Sequence, residues 1–110
     1  MAAKFEIMKS KNGQFFFRLK AANGQIILSS EQYKSKASVQ GSIASVKTNS
    51  KKDGNFERKA SKNGQPYFVL HASNGEPIGS SEMYKSNSSM ENGIASVKTN
   101  APKAAVKDLT

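Results

Sequence analysis

The stretch "FEIMKSKNGQFFFRLKAANGQIILSSEQYKS", residues 5–35, returns 51 residues later as "FERKASKNGQPYFVLHASNGEPIGSSEMYKS", residues 56–86. The likeness continues through "IASVKTN", which stands at 43–49 and again at 94–100. Without a gap, residues 5–49 and 56–100 agree at 27 of 45 positions. Self-similarity at a fixed offset marks an internal duplication. The chain is therefore predicted to hold two copies of one unit, repeat one at 4–50 and repeat two at 55–101.

Each repeat has the pattern of three strands followed by a helix. Asn-Gly pairs at 12–13, 23–24, 63–64 and 74–75 predict tight hairpins between the apolar runs. After Tyr33 and Tyr84 the apolar residues recur at i, i+4 and i+7, which is one face of a helix. Ser35 and Ser86 stand where N-caps are expected. The predicted order is therefore βββα, given twice.

The size of one repeat predicts how the two copies combine. About 50 residues bury too little surface to be robust alone, so we expect both repeats to share one core. The predicted fold is α+β: a single pseudo-symmetric domain over 1–110, with one antiparallel sheet, both helices on one face and a pseudo-twofold axis between the copies. The C-terminal segment 102–110 contains "AAVKDL" and can add a short strand to the other copy's sheet, which would be an exchange of C-terminal strands.

The second predicted strand of each copy distinguishes the two faces of the sheet. One alternation is apolar and identical between copies, with Phe17 and Leu19 matching Phe68 and Leu70, and it should face the helices. The other alternation is mixed and should form an open face, with five candidate binding residues: Phe16, Arg18, Lys20, Tyr67 and His71.

An apolar patch is also predicted on the open face of repeat one. Phe16, Ile26 and Leu28 share the outward alternation there, and such a patch offers a surface for self-association. Scattered surface hydrophobic residues, or cover by a chain terminus, are the alternative explanation.

The composition limits the classes of function. Seventeen Lys and Arg against eight Asp and Glu give a formal charge of +9, which favours an anionic partner such as nucleic acid. With no cysteine and one histidine, we expect no disulfide, metal site or cofactor. No apolar run approaches the roughly 20 residues of a membrane span, and the first residues lack the apolar stretch of a secretory signal. A cytoplasmic protein without a membrane association is expected.

Three functional interpretations follow. The first is a non-enzymatic binding or structural module, monomeric because it already contains its own pseudo-dimer. The second is binding of RNA or single-stranded DNA on the open face, where Phe16 and Tyr67 would stack on bases and the basic residues would contact phosphates. The third is a small enzyme in which Glu31 and Glu82 approach each other across the pseudo-twofold axis for acid–base work.

The repeated residues also resemble a known family. The pattern formed by "SKNGQ", the second "NG", "SSE" with "YKS", and "IASVKTN", given twice between residues 5 and 100, resembles the YegP-like family of small uncharacterised proteins. The resemblance implies one sheet with exchanged C-terminal strands. It implies no catalytic residue.

Overall fold

A computed structural model describes residues 3–110 of the chain; residues 1 and 2 of the predicted domain lie outside the described residues. Its elements follow the predicted order twice, with one added strand at the end. They are β1 (Lys4–Lys9), β2 (Phe15–Lys20), β3 (Ile26–Ser29), α1 (Lys36–Asn49), a 3₁₀ turn (Asp53–Asn55), β4 (Phe56–Ala60), β5 (Pro66–His71), β6 (Pro77–Ser80), α2 (Asn87–Asn100), a second 3₁₀ turn (Ala101–Lys103) and β7 (Ala105–Asp108).

The Asn-Gly pairs form the predicted hairpins, and their backbone geometry shows which type of turn they make. In the first, the Gly13 N–H donates to the Ser10 carbonyl over 3.0 Å, and Gly13 has a φ of 84°. The Asn12 side chain accepts from the Gln14 N–H. Among the described residues, positive φ occurs at the glycines of the four Asn-Gly pairs and at no non-glycine residue, so each hairpin is a type I turn followed by a left-handed glycine.

Both helices begin directly after the predicted N-caps. The Ser35 hydroxyl accepts from the Ser38 N–H and the Ser86 hydroxyl from the Ser89 N–H, which satisfies a free donor in each first turn. The apolar face of each helix is buried in the shared core: Val39, Ile43 and Val46 in α1, and Met90, Ile94 and Val97 in α2.

One seven-stranded sheet contains both repeats, in the order β4-β5-β6-β3-β2-β1-β7. The order is symmetric about the join between β3 and β6, where Ser29 pairs with Ser80. The helices pack across this join, since α1 contacts β6 and α2 contacts β3. The α+β prediction with one shared sheet is therefore confirmed.

The prediction of an entirely antiparallel sheet is wrong at one strand pair. The C-terminal strand β7 lies beside β1 of repeat one and runs parallel to it, with Phe5 opposite Val106 and Glu6 opposite Lys107. The Lys36 ammonium at the start of α1 binds the Asp108 carboxylate over 2.9 Å. The tail thus adds a strand to the other repeat, as predicted, and makes the sheet mixed.

The predicted apolar patch of Phe16, Ile26 and Leu28 does not form. A bulge in β3 leaves Leu19 opposite Leu28 but Lys20 opposite Ile26, so that Ile27 is an extra residue in the strand. Because an extra residue breaks the alternation, Leu28 points to the core with Leu19 and is fully buried. Phe16 and Ile26 are half-buried. Repeat two has the same bulge, with Leu70 opposite Gly79.

The two repeats differ where they meet. Gly79 occupies the place in repeat two that Leu28 holds in repeat one, and a Cβ built on Gly79 would lie 2.9 Å from the Leu28 side chain. One leucine therefore fills a space near the axis that two could not share.

We expect Gly79→Leu to destabilise the fold by about 1–3 kcal/mol through overpacking, and Leu28→Gly to destabilise it by about 2–5 kcal/mol through the cavity. The exchanged double variant Leu28→Gly/Gly79→Leu places one leucine on the other side of the axis. Its loss of stability in urea unfolding should be smaller than the sum of the two single losses by at least about 1 kcal/mol. Additive losses would contradict this interpretation of the join.

Candidate functional site

The sheet face opposite the helices, here called the open face, carries the five predicted binding residues. Their partner strands place them in two groups. Phe16, Arg18 and Lys20 lie on β2 in repeat one, while Tyr67 and His71 lie on β5 in repeat two. The strands β3 and β6 stand between them. At about 4.8 Å per strand, β2 and β5 are about 14 Å apart, so Phe16 and Tyr67 cannot stack on one base.

The half of the open face in repeat one is built around the carboxylate of Glu6. Glu6 is only 6% exposed, and its Oε1 accepts from the Lys20 ammonium over 3.0 Å. The Lys4 ammonium lies 3.6 Å from the other oxygen. The hydrogen bond from Lys20 is the largest cause that holds the pKa of Glu6 below its ordinary value, against the opposing effect of burial.

Two further cations stand on either side of this carboxylate. Glu6 is directly opposite Arg18 on β2 and directly opposite Lys107 on β7. Within residues 3–110 neither Arg18 nor Lys107 forms an ion pair with a carboxylate. The Glu6 cluster, which is Lys4, Glu6, Arg18, Lys20 and Lys107, thus has a formal excess of three positive charges.

Phe16 extends this cluster with an aromatic ring. The Arg18 guanidinium lies 5.5 Å from the centroid of the Phe16 ring, within cation–π range. Phe16 is also opposite Met8 on β1. A flat cation and a ring side by side form a surface on which a planar group can stack.

The half of the open face in repeat two has a different balance of charge. His71, which replaces Lys20, has its Nε2 2.8 Å from Glu57 Oε1 and its Nδ1 3.0 Å from the Gly75 carbonyl oxygen. Both neighbours are hydrogen-bond acceptors, so the ring donates to at least one of them. A depression of about 270 Å³ lies beside this pair and is also lined by Glu31 and Lys59.

Glu31 and Glu82 are not brought together in one depression. Glu31 lines the depression beside His71, whereas Glu82 lines another beside Gly24 and Met83. The second serine of "SSE" has the same bonds in both repeats: the Ser30 hydroxyl accepts from the Phe17 N–H and donates to the Glu31 backbone carbonyl, and Ser81 does the same in repeat two. The repetition of this motif therefore has a structural cause in the hairpin.

Sequence reasoning missed Glu6, Lys4 and Lys107. The pair Phe-Glu at 5–6 and 56–57 was a signal, because it recurs in the first strand of both repeats. The sequence did not give the parallel register that brings Lys107 to Glu6. Among the described residues, no group of three or more His, Asp or Glu side chains is arranged to hold a metal ion.

A second charged cluster lies on the helix side of β4. The Arg58 guanidinium binds Glu91 on α2 over 2.7 Å and Asp53 over 3.1 Å, and Lys98 also binds Asp53. Hydrogen bonds from Lys98 first, and then from Arg58, hold the pKa of Asp53 below its ordinary value. All four charges are paired, so this cluster offers less to an external anion than the Glu6 cluster does.

These features define the class: a small tandem-repeat α+β protein with one mixed sheet and a basic open face. A domain of unknown function, DUF1508, matches the chain twice, at residues 10–57 and 61–108. The UPF0339 protein YegP of Yersinia pestis is 53% identical over 106 residues, covering 96% of this chain and 95% of the relative. The UPF0339 protein PA0329 of Pseudomonas aeruginosa is 52% identical over 108 residues, covering 98% of each chain.

Two solved structures have the same fold. The solution NMR structure of yegP from E. coli, titled a protein of unknown function, has a TM-score of 0.94 at 51% identity and covers all of this chain and 95% of its own. That of UPF0339 protein SO3888 from Shewanella oneidensis has a TM-score of 0.94 at 44% identity, covering all of this chain and 93% of its own. The chain belongs to the YegP-like UPF0339 family of tandem DUF1508 proteins, and these relatives are uncharacterised. No helix in residues 3–110 is long and apolar enough to cross a membrane.

We expect Glu6→Gln to destabilise the fold at pH 7 by about 1 kcal/mol, because a partly buried carboxylate loses its charge-assisted bonds. Since the pKa of Glu6 is lowered on folding, its contribution is present above its ordinary value of 4.5 and is lost as the pH falls through the folded value. The difference between wild type and variant should therefore shrink in acid, as measured by urea unfolding between pH 3 and pH 7.

The matched control is Glu57→Gln, at the equivalent position of repeat two. The Glu57 side chain is 49% exposed, so the loss at pH 7 should be under about 0.5 kcal/mol. Equal losses at the two positions would show that the burial of Glu6 has no energetic consequence.

Proposed function

We propose that this chain is a non-enzymatic binding module whose open face takes an extended anionic partner, and that single-stranded nucleic acid is this partner. The observation that supports the proposal is the Glu6 cluster, in which four cations surround one carboxylate beside the Phe16 ring. Phosphates account for much of the affinity in such interfaces, and aromatic rings add stacking that tolerates any base. We further propose a cytoplasmic location, where such a partner is available.

The five predicted residues have unequal roles in this proposal. The Arg18 guanidinium lies beside Phe16 and has no carboxylate partner within residues 3–110. We therefore propose that it binds a phosphate or stacks on a base. Lys20 shares its charge with Glu6, and His71 is bonded on both ring nitrogens. Lys107, from β7, replaces His71 as a candidate phosphate contact. Tyr67 lies beyond the Glu6 cluster and would contact only a strand that crosses the sheet.

The same geometry supports the non-enzymatic part of the proposal. The single histidine of the chain is occupied by Glu57 and Gly75, and Glu31 and Glu82 line separate depressions. An acid–base mechanism through the two glutamates requires them within reach of one substrate group. We therefore favour binding over catalysis, by a monomer that contains both halves of the sheet.

Fluorescence anisotropy with a labelled single-stranded RNA and its DNA counterpart tests the proposal. We expect binding with a dissociation constant that rises steeply with salt, with a slope set by about three phosphate contacts. The double variant Arg18→Gln/Lys107→Gln should weaken binding about tenfold or more. The matched control Lys51→Gln/Lys52→Gln removes the same charge from the exposed linker after α1 and should change binding less than about threefold.

Glu6→Gln should have the opposite effect on nucleic-acid affinity. Removing the one carboxylate of the Glu6 cluster should tighten binding, since it frees two ammonium groups and removes a repulsion. If the two double variants lose the same affinity, net charge alone accounts for binding. No binding to either strand at 50 mM salt would overturn the proposal.

A further inference from the structure

The outer edge of β4 stands where the pseudo-twofold axis would place a second copy of β7. The sheet order pairs β6 with β3, β5 with β2 and β4 with β1 across the axis. The next strand beyond β1 is β7, whereas within residues 3–110 no strand lies beyond β4. One of two equivalent strand positions is therefore filled and the other is open.

The linker between the repeats explains why the chain leaves this position open. The repeats are offset by 51 residues, so the segment of repeat one that is equivalent to β7 is residues 54–57. This segment already includes the first two residues of β4. A strand parallel to its chain neighbour needs a crossover of about a dozen residues or more, and only six residues, 50–55, separate α1 from β4. The segment before β4 thus has no route to lie beside it.

Burial at equivalent positions confirms that the edge is exposed. Ile7, in the strand that β7 covers, is 1% exposed. Its equivalent Arg58 has a side chain that is 35% exposed, and Glu57 and Lys59 are also exposed. The Leu109 N–H donates to the Ile7 carbonyl over 2.9 Å, so the backbone of Ile7 faces β7. By equivalence the backbone N–H and carbonyl of Arg58 face outward at the edge.

The charges on β4 match the sequence of β7. In the register that β7 uses on β1, a strand of the same sequence would place a valine opposite Phe56, a lysine opposite Glu57 and an aspartate opposite Arg58. Phe56 and Glu57 repeat the Phe5 and Glu6 that β7 meets, and Arg58 adds an opposite charge where β1 has an isoleucine. Directly opposed charges of opposite sign stabilise strand pairing.

We propose that the β4 edge is a docking site for an extended segment of a partner polypeptide, which adds a parallel strand with an apolar, a basic and an acidic residue in succession. All four residues of β7 are exposed, so main-chain bonds dominate this mode of pairing and side chains select the register. The Arg58 guanidinium lies 3.5 Å from the Phe56 carbonyl oxygen. The docking strand displaces it from that oxygen, and the acidic residue of the strand replaces one of its two present carboxylate partners, Asp53 or Glu91.

The test uses the whole protein and a synthetic peptide with the sequence of residues 102–110, "PKAAVKDLT". Titration of the peptide into isotope-labelled protein should shift the backbone amide resonances of Phe56–Ala60 in a saturable manner. A peptide with the lysine and aspartate at positions 107 and 108 exchanged has the same composition and net charge, and it should bind about fivefold more weakly.

Two variants distinguish the contribution of the Arg58 backbone N–H to peptide binding from the contribution of its side chain. Arg58→Pro removes the outward N–H and should weaken the peptide about tenfold, while Arg58→Ala keeps the N–H and should weaken it only about threefold. The exchanged peptide keeps the test decisive on wild-type protein if the proline variant does not fold.

Other results would overturn the proposal. Shifts confined to Lys4–Lys9 would mean that the peptide replaces β7 on β1, and no saturable shift at millimolar peptide would mean that the β4 edge binds no strand. Sedimentation of the unliganded protein should show a monomer. If the protein is a dimer and the resonances of β4 change on dimerisation, the β4 edge binds a second copy of this chain instead of a partner.

Discussion

The join between β3 and β6 is the contact on which the rest of the structure depends. The buried apolar residues of both repeats form one core cluster, so we expect neither repeat to be stable without the other. Only Ser29 and Ser80 are paired in the ladder at this point, and the helices reinforce it because each crosses onto the other repeat's strand. Leu28 over Gly79 fills the space that remains near the axis. A symmetric pair of leucines would not fit, so the two repeats had to differ here.

Fusing the repeats into one chain breaks the symmetry a second time, at the outer edges of the sheet. The tail after α2 is free to reach β1, whereas the equivalent segment after α1 must continue as β4. One outer edge is therefore covered by β7 and anchored by Lys36 and Asp108, where bonds from Thr110 and Lys36 hold the pKa of Asp108 at about 2. At the other edge, the part of the chain that the structure describes provides the Arg58 side chain and its ion pairs. Charged residues at an edge discourage indiscriminate pairing without preventing a matched strand from docking.

Features that neighbouring residues specify were predictable from the sequence, and features that depend on distant contacts were not. The helices, their serine caps, the hairpins and the Phe17/Leu19 face were predictable because the spacing of a few neighbouring residues determines them. The bulge that buries Leu28 was not, because "QIILSS" is consistent with an unbroken alternation as well as with one extra residue. The hydroxyl of Ser30 in the hairpin, and the parallel register that brings Lys107 beside Glu6, depend on contacts between distant parts of the chain.

The two halves of the open face show how one scaffold can separate a structural role from a binding role. Glu6 and Glu57 begin as equivalent residues in equivalent strands, yet β7 covers one and leaves the other half exposed. The added strand also brings a lysine to Glu6, so the same event that buries the carboxylate raises the positive charge around it. In repeat two, where the described residues add no strand beside β4, the carboxylate of Glu57 meets a histidine. The exchanged strand thus raises the formal excess of positive charge in the Glu6 cluster from two to three, and a chain without β7 would lose Lys107 together with the cover over β1.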